Sequence, residues 1–312
     1  VWNIDDSFSL KRPVVTIGIF DGVHKGHRFI LDHLKAQAQE YGGETVVVTL
    51  WPHPRIVLHK ELHDFKLLHT REEKIREMEG HGIDHLVVVP FDREIASLAA
   101  CDFVQHFLVD KLGVEVLLVG YDNRFGKDRK GDPEGLRMCA KKNRFRIEKL
   151  PEYHSEYGTV SSSAIRNSVL KGDLESAANM LGYHYYLSGT IVEGNHIGRK
   201  MGFPTANIHP LDANKLIPMN GVYAIRAELR GEAHKGMLNI GFRPTMDSAM
   251  AVKTIEAHLF DVSGVGKWRR IYLSQMSANA DRGAVINFEM QVRSLVGTHK
   301  RKQLEYLLAR WQ

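Results

Sequence analysis

The chain of 312 residues and 35.4 kDa carries 43% hydrophobic and 25% charged side chains, a globular composition that excludes a disordered, collagenous or fibrous protein. Apolar runs such as Val46–Val48 and Leu86–Val89 are of strand length, far short of the roughly 20 residues a membrane helix needs, so a soluble protein is expected. Net charge is +5, but residues 1–184 hold 25 basic and 27 acidic side chains against 17 and 10 in residues 185–312, giving −2 and +7. A basic second half suits phosphorylated ligands or nucleic acid, and equally a solvated face.

The visible start, VWNIDDSFSL, has neither a basic leader nor a signal core, which points to a cytoplasmic protein. Cys101 and Cys139 are too few for a disulfide framework or a zinc site, and both are expected to be structural residues of a reducing compartment.

In chain order, 14-VVTIGI-19 reads as a strand, Gly26 to Tyr41 as a helix, and 45-TVVVTL-50 as a second strand, which is a βαβ unit. Thr70 with Glu73 forms a capping box ahead of a helix, and 85-HLVVVP-90 is the next strand. Asp102 and Gln105 predict a capped helix ending near Gly113. Strand 114-VEVLLVG-120, a helix from Asp132-Pro133 to Asn143 and strand 144-RFRIEKL-150 complete a doubly wound α/β pattern.

From Tyr186 the period changes. Segments 186–193, 222–229, 234–241, 253–261, 269–274 and 285–293 read as strands, with helical spacing only at 300–310. Strands without intervening helices predict a small β-barrel, and the boundary is placed between residues 1–184 and 185–312.

The densest chemical cluster is 18-GIFDGVHKGHRFI-30, at the carboxyl end of the first strand and the start of the first helix. In open parallel sheets nucleotides bind there, and a helix N-terminus offers free N–H groups and a favourable dipole. Gly18, Gly22 and Gly26 permit close backbone approach, and His24 and His27 can converge on one ligand. The segment is neither a P-loop nor a GxGxxG turn. Two histidines at this spacing could also bind a metal, but no cluster of cysteine, aspartate or histidine completes a convincing ligand set.

The HxGH pattern resembles the nucleotidylyltransferase superfamily, and 160-VSSSAIRNSV-169 is similar to its later (I/V)SSTxIR motif, with Ser163 at the threonine position. The resemblance implies that Gly18, Phe20, Asp21 and Gly22 line the nucleotide, that His24, His27 and Arg166 serve catalysis, and that Ser162 and Ser163 hold phosphates. Segments 49-TLWPHP-54 and 119-VGYDNRFGKDRKGD-132 resemble those of bacterial FMN adenylyltransferases, making Arg124 and Phe125 substrate-side residues; Asn123 replaces the customary aromatic.

In the second half, 198-GRKMGFPTANI-208 resembles the riboflavin kinase motif GRxLGFPTANI, with Met201 the one replacement. It implies nucleotide contacts at Gly198, Lys200 and Gly202 and Mg²⁺ ligation by Thr205 and Asn207, hard oxygen donors suited to that ion. Similarity of 239-NIGFRPTM-246 and 255-IEAHLFD-261 to kinase segments makes Glu256 the general base. Taken together, the motifs resemble the bifunctional prokaryotic riboflavin kinase/FMN adenylyltransferases, or FAD synthetases. Fold and activity then follow as expectations: an α/β nucleotidylyltransferase-like (Rossmann-like) domain before a riboflavin-kinase-like barrel, with ATP, riboflavin, FMN and FAD as substrates or products and Mg²⁺ as cofactor. No nucleic-acid or membrane partner is expected, and the oligomeric state is left open.

The sequence departs from the family near its end, where 265-VGKW-268 and 293-RSLVGT-298 replace flavin-side segments and leave Arg293 as the surviving contact. Weaker riboflavin binding is expected there, unless Trp268 stacks on the flavin. Two other readings stay open: a nucleotidylyltransferase for another phosphorylated acceptor with an idle barrel, and a nucleic-acid-binding barrel.

Overall fold

The computed structural model describes residues 1–4, 9–58, 64–121, 133–156, 158–192, 206–229, 232–245, 248–259 and 268–275. The chain divides into two compact units, Val1–Ser161 and Ser162–Gln312. The predicted strand over 285–293 and helix over 300–310 lie outside the described residues.

The first unit runs β1 (Trp2–Asn3), β2 (Val14–Ile17), α1 (Lys25–Tyr41), β3 (Thr45–Trp51), α2 (Pro54–Leu58), α3 (Arg71–Gly80), β4 (His85–Pro90), α4 (Arg93–Ser97), α5 (Ala100–Phe103), β5 (Val116–Val119), α6 (Pro133–Asn143) and β6 (Arg146–Lys149). Its six strands are all parallel, in the order β1-β4-β3-β2-β5-β6. From β2 the chain builds outward through β3 and β4, then returns to the other side of β2 to place β5 and β6. Strand order therefore reverses between β2 and β5, and the crevice beyond their carboxyl ends is where such sheets bind ligands.

Alternation along the strands explains the two faces. Val15, Ile17, Val46, Val48, Leu117 and Val119 pack against Phe103, Phe107, Leu136 and Cys139 on one side. Their neighbours Val14, Val47, Leu86, Val116 and Leu118 pack against Leu31 and Leu34 of α1 and Met78 of α3 on the other.

Two local expectations are corrected. The helix predicted to be capped at Asp102 instead follows Ala99, which makes no side-chain cap, and continues as a π-helical stretch Val104–Val109. The side-chain cap lies one element earlier, where Asp92 accepts from Ile95 N–H ahead of α4. Cys101 and Cys139, expected as separate thiols, are joined as a disulfide with Cα atoms 5.7 Å apart, linking α5 to α6.

The second unit opens with α7 (Ser162–Leu170) and α8 (Leu174–Leu181), the latter capped by Asp173 and closed by Gly182 at φ 82°. Strands β7 (Tyr186–Leu187), β8 (Gly189–Val192), β9 (Ala206–Pro210), β10 (Gly221–Leu229), β11 (Glu232–Thr245), β12 (Ser248–Leu259) and β13 (Trp268–Gln275) form an antiparallel sheet in the order β7-β13-β10-β11-β12-β9-β8. The inner row Ile208, Ile225, Leu238, Ile240, Ile255 and Ala257 is buried. The single predicted strand 186–193 is thus two: its first part pairs with β13 and its second with β9, at opposite ends of the strand order. Gly189 permits this crossing, because a Cβ there would meet the Ile208 side chain at 2.6 Å and His209 O at 2.7 Å.

Candidate active sites

The turn between β2 and α1 is forced by its residues. Gly18 hydrogen-bonds to Val48 O at 3.0 Å and has no room for a side chain, since a Cβ would sit 2.9 Å from the Phe20 ring. Phe20 and Val23 hold φ values of 50° and 34°, and Gly22 one of 89°. Left-handed backbone at a β-branched residue is strained and persists only where the surroundings fix it. Those surroundings include Asp21, 2% exposed, whose carboxylate accepts from the N–H groups of Leu68 and His69 at 3.1 and 3.0 Å. The turn is thereby tied to the segment that enters α3.

His24 is the N-cap of α1: its Nδ1 accepts from His27 N–H at 3.3 Å. Because Nδ1 accepts, a proton on the neutral ring sits on Nε2. The His24 and His27 rings stack at 3.6 Å and 16°, with Phe20 edge-on to His27 at 5.1 Å. Gly26 allows this fold-over, since a Cβ would lie 3.3 Å from His24 Nδ1. The residue His27 retains some exposure, but its Nδ1 is covered and makes no hydrogen bond. Burial, reinforced by His24, Lys74 and His69, holds its pKa well below the ordinary histidine value. Two stacked imidazoles, of which His27 is held neutral, therefore stand at the N-terminus of α1.

The sequence-based reading named these residues but missed their supports. Thr49 donates to Ile19 O at 3.2 Å and accepts from the Lys74 ammonium at 3.3 Å. Lys74 follows directly on the Thr70–Glu73 capping box, whose two reciprocal bonds measure 3.0 and 3.2 Å. No local pattern marks Thr49, His69 or Lys74, because each acquires meaning only through strand order.

Of the remaining expected residues, Ser162, Ser163 and Arg166 open α7 in the second unit. Ser163 is exposed, Ser162 and Arg166 are half-buried, and Ile165 and Val169 are buried. Arg124, Phe125, Gly198, Lys200, Gly202, Thr205 and Arg293 lie outside the described residues.

In the sheet of the second unit, Glu256 of β12 stands directly opposite Asn207 of β9 and Asn239 of β11. Directly opposed residues share a face, so the three side chains form a row on the side away from Leu238, Ile240 and Ile255. Asn207 and Glu256, far apart in sequence, are thus brought opposite each other. Asn239 was quoted within its segment but given no role; its Oδ1 is buried with no hydrogen-bond partner. Among the described residues no group of three or more His, Cys, Asp or Glu side chains is placed to hold a metal. No helix among them is long and apolar enough to cross a membrane.

Comparison with known proteins places both halves of the chain in named families. A family model described as FAD synthetase matches residues 7–164 and one described as riboflavin kinase matches residues 181–280. The chain is 34% identical over 291 residues to the bifunctional riboflavin kinase/FMN adenylyltransferase of Listeria monocytogenes, covering 91% of each chain. Proteins of the same name from Bacillus subtilis and Escherichia coli K12 are 36% and 35% identical, over 80% and 88% of this chain and 78% and 87% of theirs. A crystal structure described as a macrolide-efflux protein from Streptococcus pneumoniae superposes with TM-score 0.78 and 26% identity over 95% of this chain and 97% of that one. With a third of its residues shared across nine-tenths of its length, and the HxGH turn and the Asn207–Glu256 pairing both formed, the chain belongs to the bifunctional riboflavin kinase/FMN adenylyltransferase family.

Proposed function

We propose that the chain carries out two consecutive transfers: riboflavin and ATP give FMN and ADP, and FMN with a second ATP gives FAD and pyrophosphate. The observation that carries the reading is the stacked His24–His27 pair at the N-terminus of α1, at the carboxyl end of β2.

For adenylyl transfer, a phosphate oxygen of FMN attacks the α-phosphorus of ATP, and the bond to the bridging oxygen breaks as pyrophosphate leaves. The nucleophile is already an anion, so no strong base is needed. His24, His27 and the N-terminal N–H groups of α1 stabilise charge on the phosphates, and the family resemblance reads Ser162, Ser163 and Arg166 as further phosphate ligands. Gly18, Phe20, Asp21 and Gly22 shape the turn that receives the nucleotide.

For phosphorylation, Glu256 takes the proton of the primary hydroxyl as it attacks the γ-phosphorus, and ADP leaves. The residues suit Mg²⁺: Asn207 offers a hard oxygen donor, Thr205 is read as a second, and the unpartnered Asn239 Oδ1, on the other side of Glu256, leaves an acceptor that a hydrated cation would satisfy. Bound there, Mg²⁺ would neutralise charge on the transferring phosphoryl group. The sheet is read as a closed barrel, supported by Ser188 alone separating β7 and β8 at the two ends of the strand order. Residues 1–184 and 185–312 are assigned to the two activities, in a cytoplasmic enzyme whose partners are small flavins and ATP.

The test is direct: the purified chain is incubated with riboflavin, ATP and Mg²⁺, and flavins are resolved by chromatography. FMN appearing first and FAD second is expected. FAD absent when FMN is supplied would refute the adenylyl step, and FMN absent from riboflavin would refute the kinase step.

A further inference from the structure

Lys74 is 3% exposed. Its ammonium donates to Thr49 Oγ1 at 3.3 Å and lies 5.3 Å from the centre of the Trp51 ring, both at the end of β3. Thr49 in turn donates to Ile19 O, in the turn that leads to His24. A cation enclosed in this way weakens a fold, and a well-packed apolar side chain of similar size is often better tolerated. Packing alone therefore gives no reason for an ammonium here.

The position gives one. It lies at the carboxyl end of β3, linked through Thr49 to the turn read above as the seat of a tetra-anionic nucleotide, and its charge is felt by His27, which is held neutral. A desolvated charge acts through low dielectric and over more distance than one in water.

We propose that Lys74 is a positioning residue for adenylyl transfer, supplying the fixed positive charge that draws the triphosphate of ATP onto the His24–His27 pair. This rests on assigning the turn to adenylyl transfer. The titratable groups of the cluster are Asp21 after β2, His24 and His27 of α1, His69 ahead of α3, and Glu73, whose carboxylate is engaged by Thr70 N–H. Burial pushes the Lys74 ammonium down to about 8, with Asp21 acting the other way. The free enzyme therefore loses this charge as pH rises through about 8, and the Lys74 charge also helps to keep His27 neutral.

The experiment uses the full chain and the variants Lys74→Met, Lys74→Arg and His27→Ala. FAD formation is measured at saturating FMN with varied ATP, alongside riboflavin phosphorylation and thermal unfolding of each sample. Lys74→Met is expected to lower kcat/KM for ATP on the order of 10-fold or more, mainly through KM, with the melting temperature unchanged or raised. Lys74→Arg, which stays charged, is expected to recover much of that loss. In the wild type kcat/KM for ATP falls as pH rises through about 8, and in Lys74→Arg that fall is absent.

Wild-type kcat/KM in Lys74→Met overturns the inference. So does equal impairment of both Lys74 variants with lowered melting temperature, which would mark a packing role. If Lys74→Met does not fold, the Lys74→Arg profile decides: a persisting alkaline fall overturns the inference and a flat one supports it. His27→Ala separates the two levels. FAD formation at the wild-type rate in that variant refutes the reading of the turn, whereas its loss beside an unaffected Lys74→Met refutes only the role of Lys74.

Discussion

At the scale of single residues, the turn between β2 and α1 depends on close approach. His27→Ala removes a ring stacked on His24 and is expected to lower FAD formation by about 10²–10³ while FMN formation from riboflavin continues. Chromatographic assay of each step checks it. The same residue gives a pH effect on stability. With its folded pKa held below the ordinary value near 6.5, the unfolded chain binds a proton first as pH falls, so stability is present above that value and is lost on acidification through it. Thermal unfolding of the wild type should weaken from pH 7.5 toward 5.5, and His27→Gln should weaken less. Gly18→Ala is the steric counterpart: its methyl meets the Phe20 ring at 2.9 Å, an overpacking expected to destabilise by about 1–3 kcal/mol and to depress FAD formation, read by denaturant unfolding and assay.

At the scale of elements, the site is held by one helix start and one strand register. Helix α3 is anchored twice, by the capping box at Thr70 and by the Asp21 carboxylate on the backbone just before it. Thr70→Ala should lower stability by about 1 kcal/mol and leave the turn in place. Asp21→Ala strips two buried N–H groups of their acceptor, and it should cost more stability and reduce FAD formation as well. In the second unit the register of β9, β12 and β11 aligns Asn207, Glu256 and Asn239. Glu256→Gln should abolish FMN formation with Mg²⁺-ATP binding retained, whereas Asn207→Ala should weaken that binding; calorimetric titration distinguishes them.

At the scale of the whole molecule, the turn of the first unit and the strand row of the second are built from separate residues. His27→Ala and Glu256→Gln should therefore act independently, each sparing the other step, and the double variant should show both losses without further interaction. The altered segments near 265–268 and 293–298 add a comparison between the flavins. Riboflavin should bind the kinase half more weakly than FMN binds the other half, with Trp268→Ala and Arg293→Ala weakening only riboflavin. Titration of each flavin in Mg²⁺-ADP checks this, and tight riboflavin binding unaffected by either substitution would place the flavin elsewhere.

Much of this was legible in the sequence because it is local. The all-buried strands, the capping box and the placing of HxGH at a strand-to-helix junction depend on spacings of two to four residues, which a chain displays before it folds. The site's supports are not local. Asp21 meets His69 across 48 residues, and Lys74 meets Thr49 across 25, because strand order brings the ends of β2 and β3 to the start of α3. The same holds for Asn239 beside Glu256, for Cys101 joined to Cys139, and for the break at Ser188 that sends β7 and β8 to different neighbours. Side-chain type and short-range period determined which segments would be strands, helices and turns. Pairing across the sheets decided which buried charges and unpartnered acceptors would stand beside the chemistry, since that choice minimises exposed apolar surface over the whole unit rather than along any one stretch of chain.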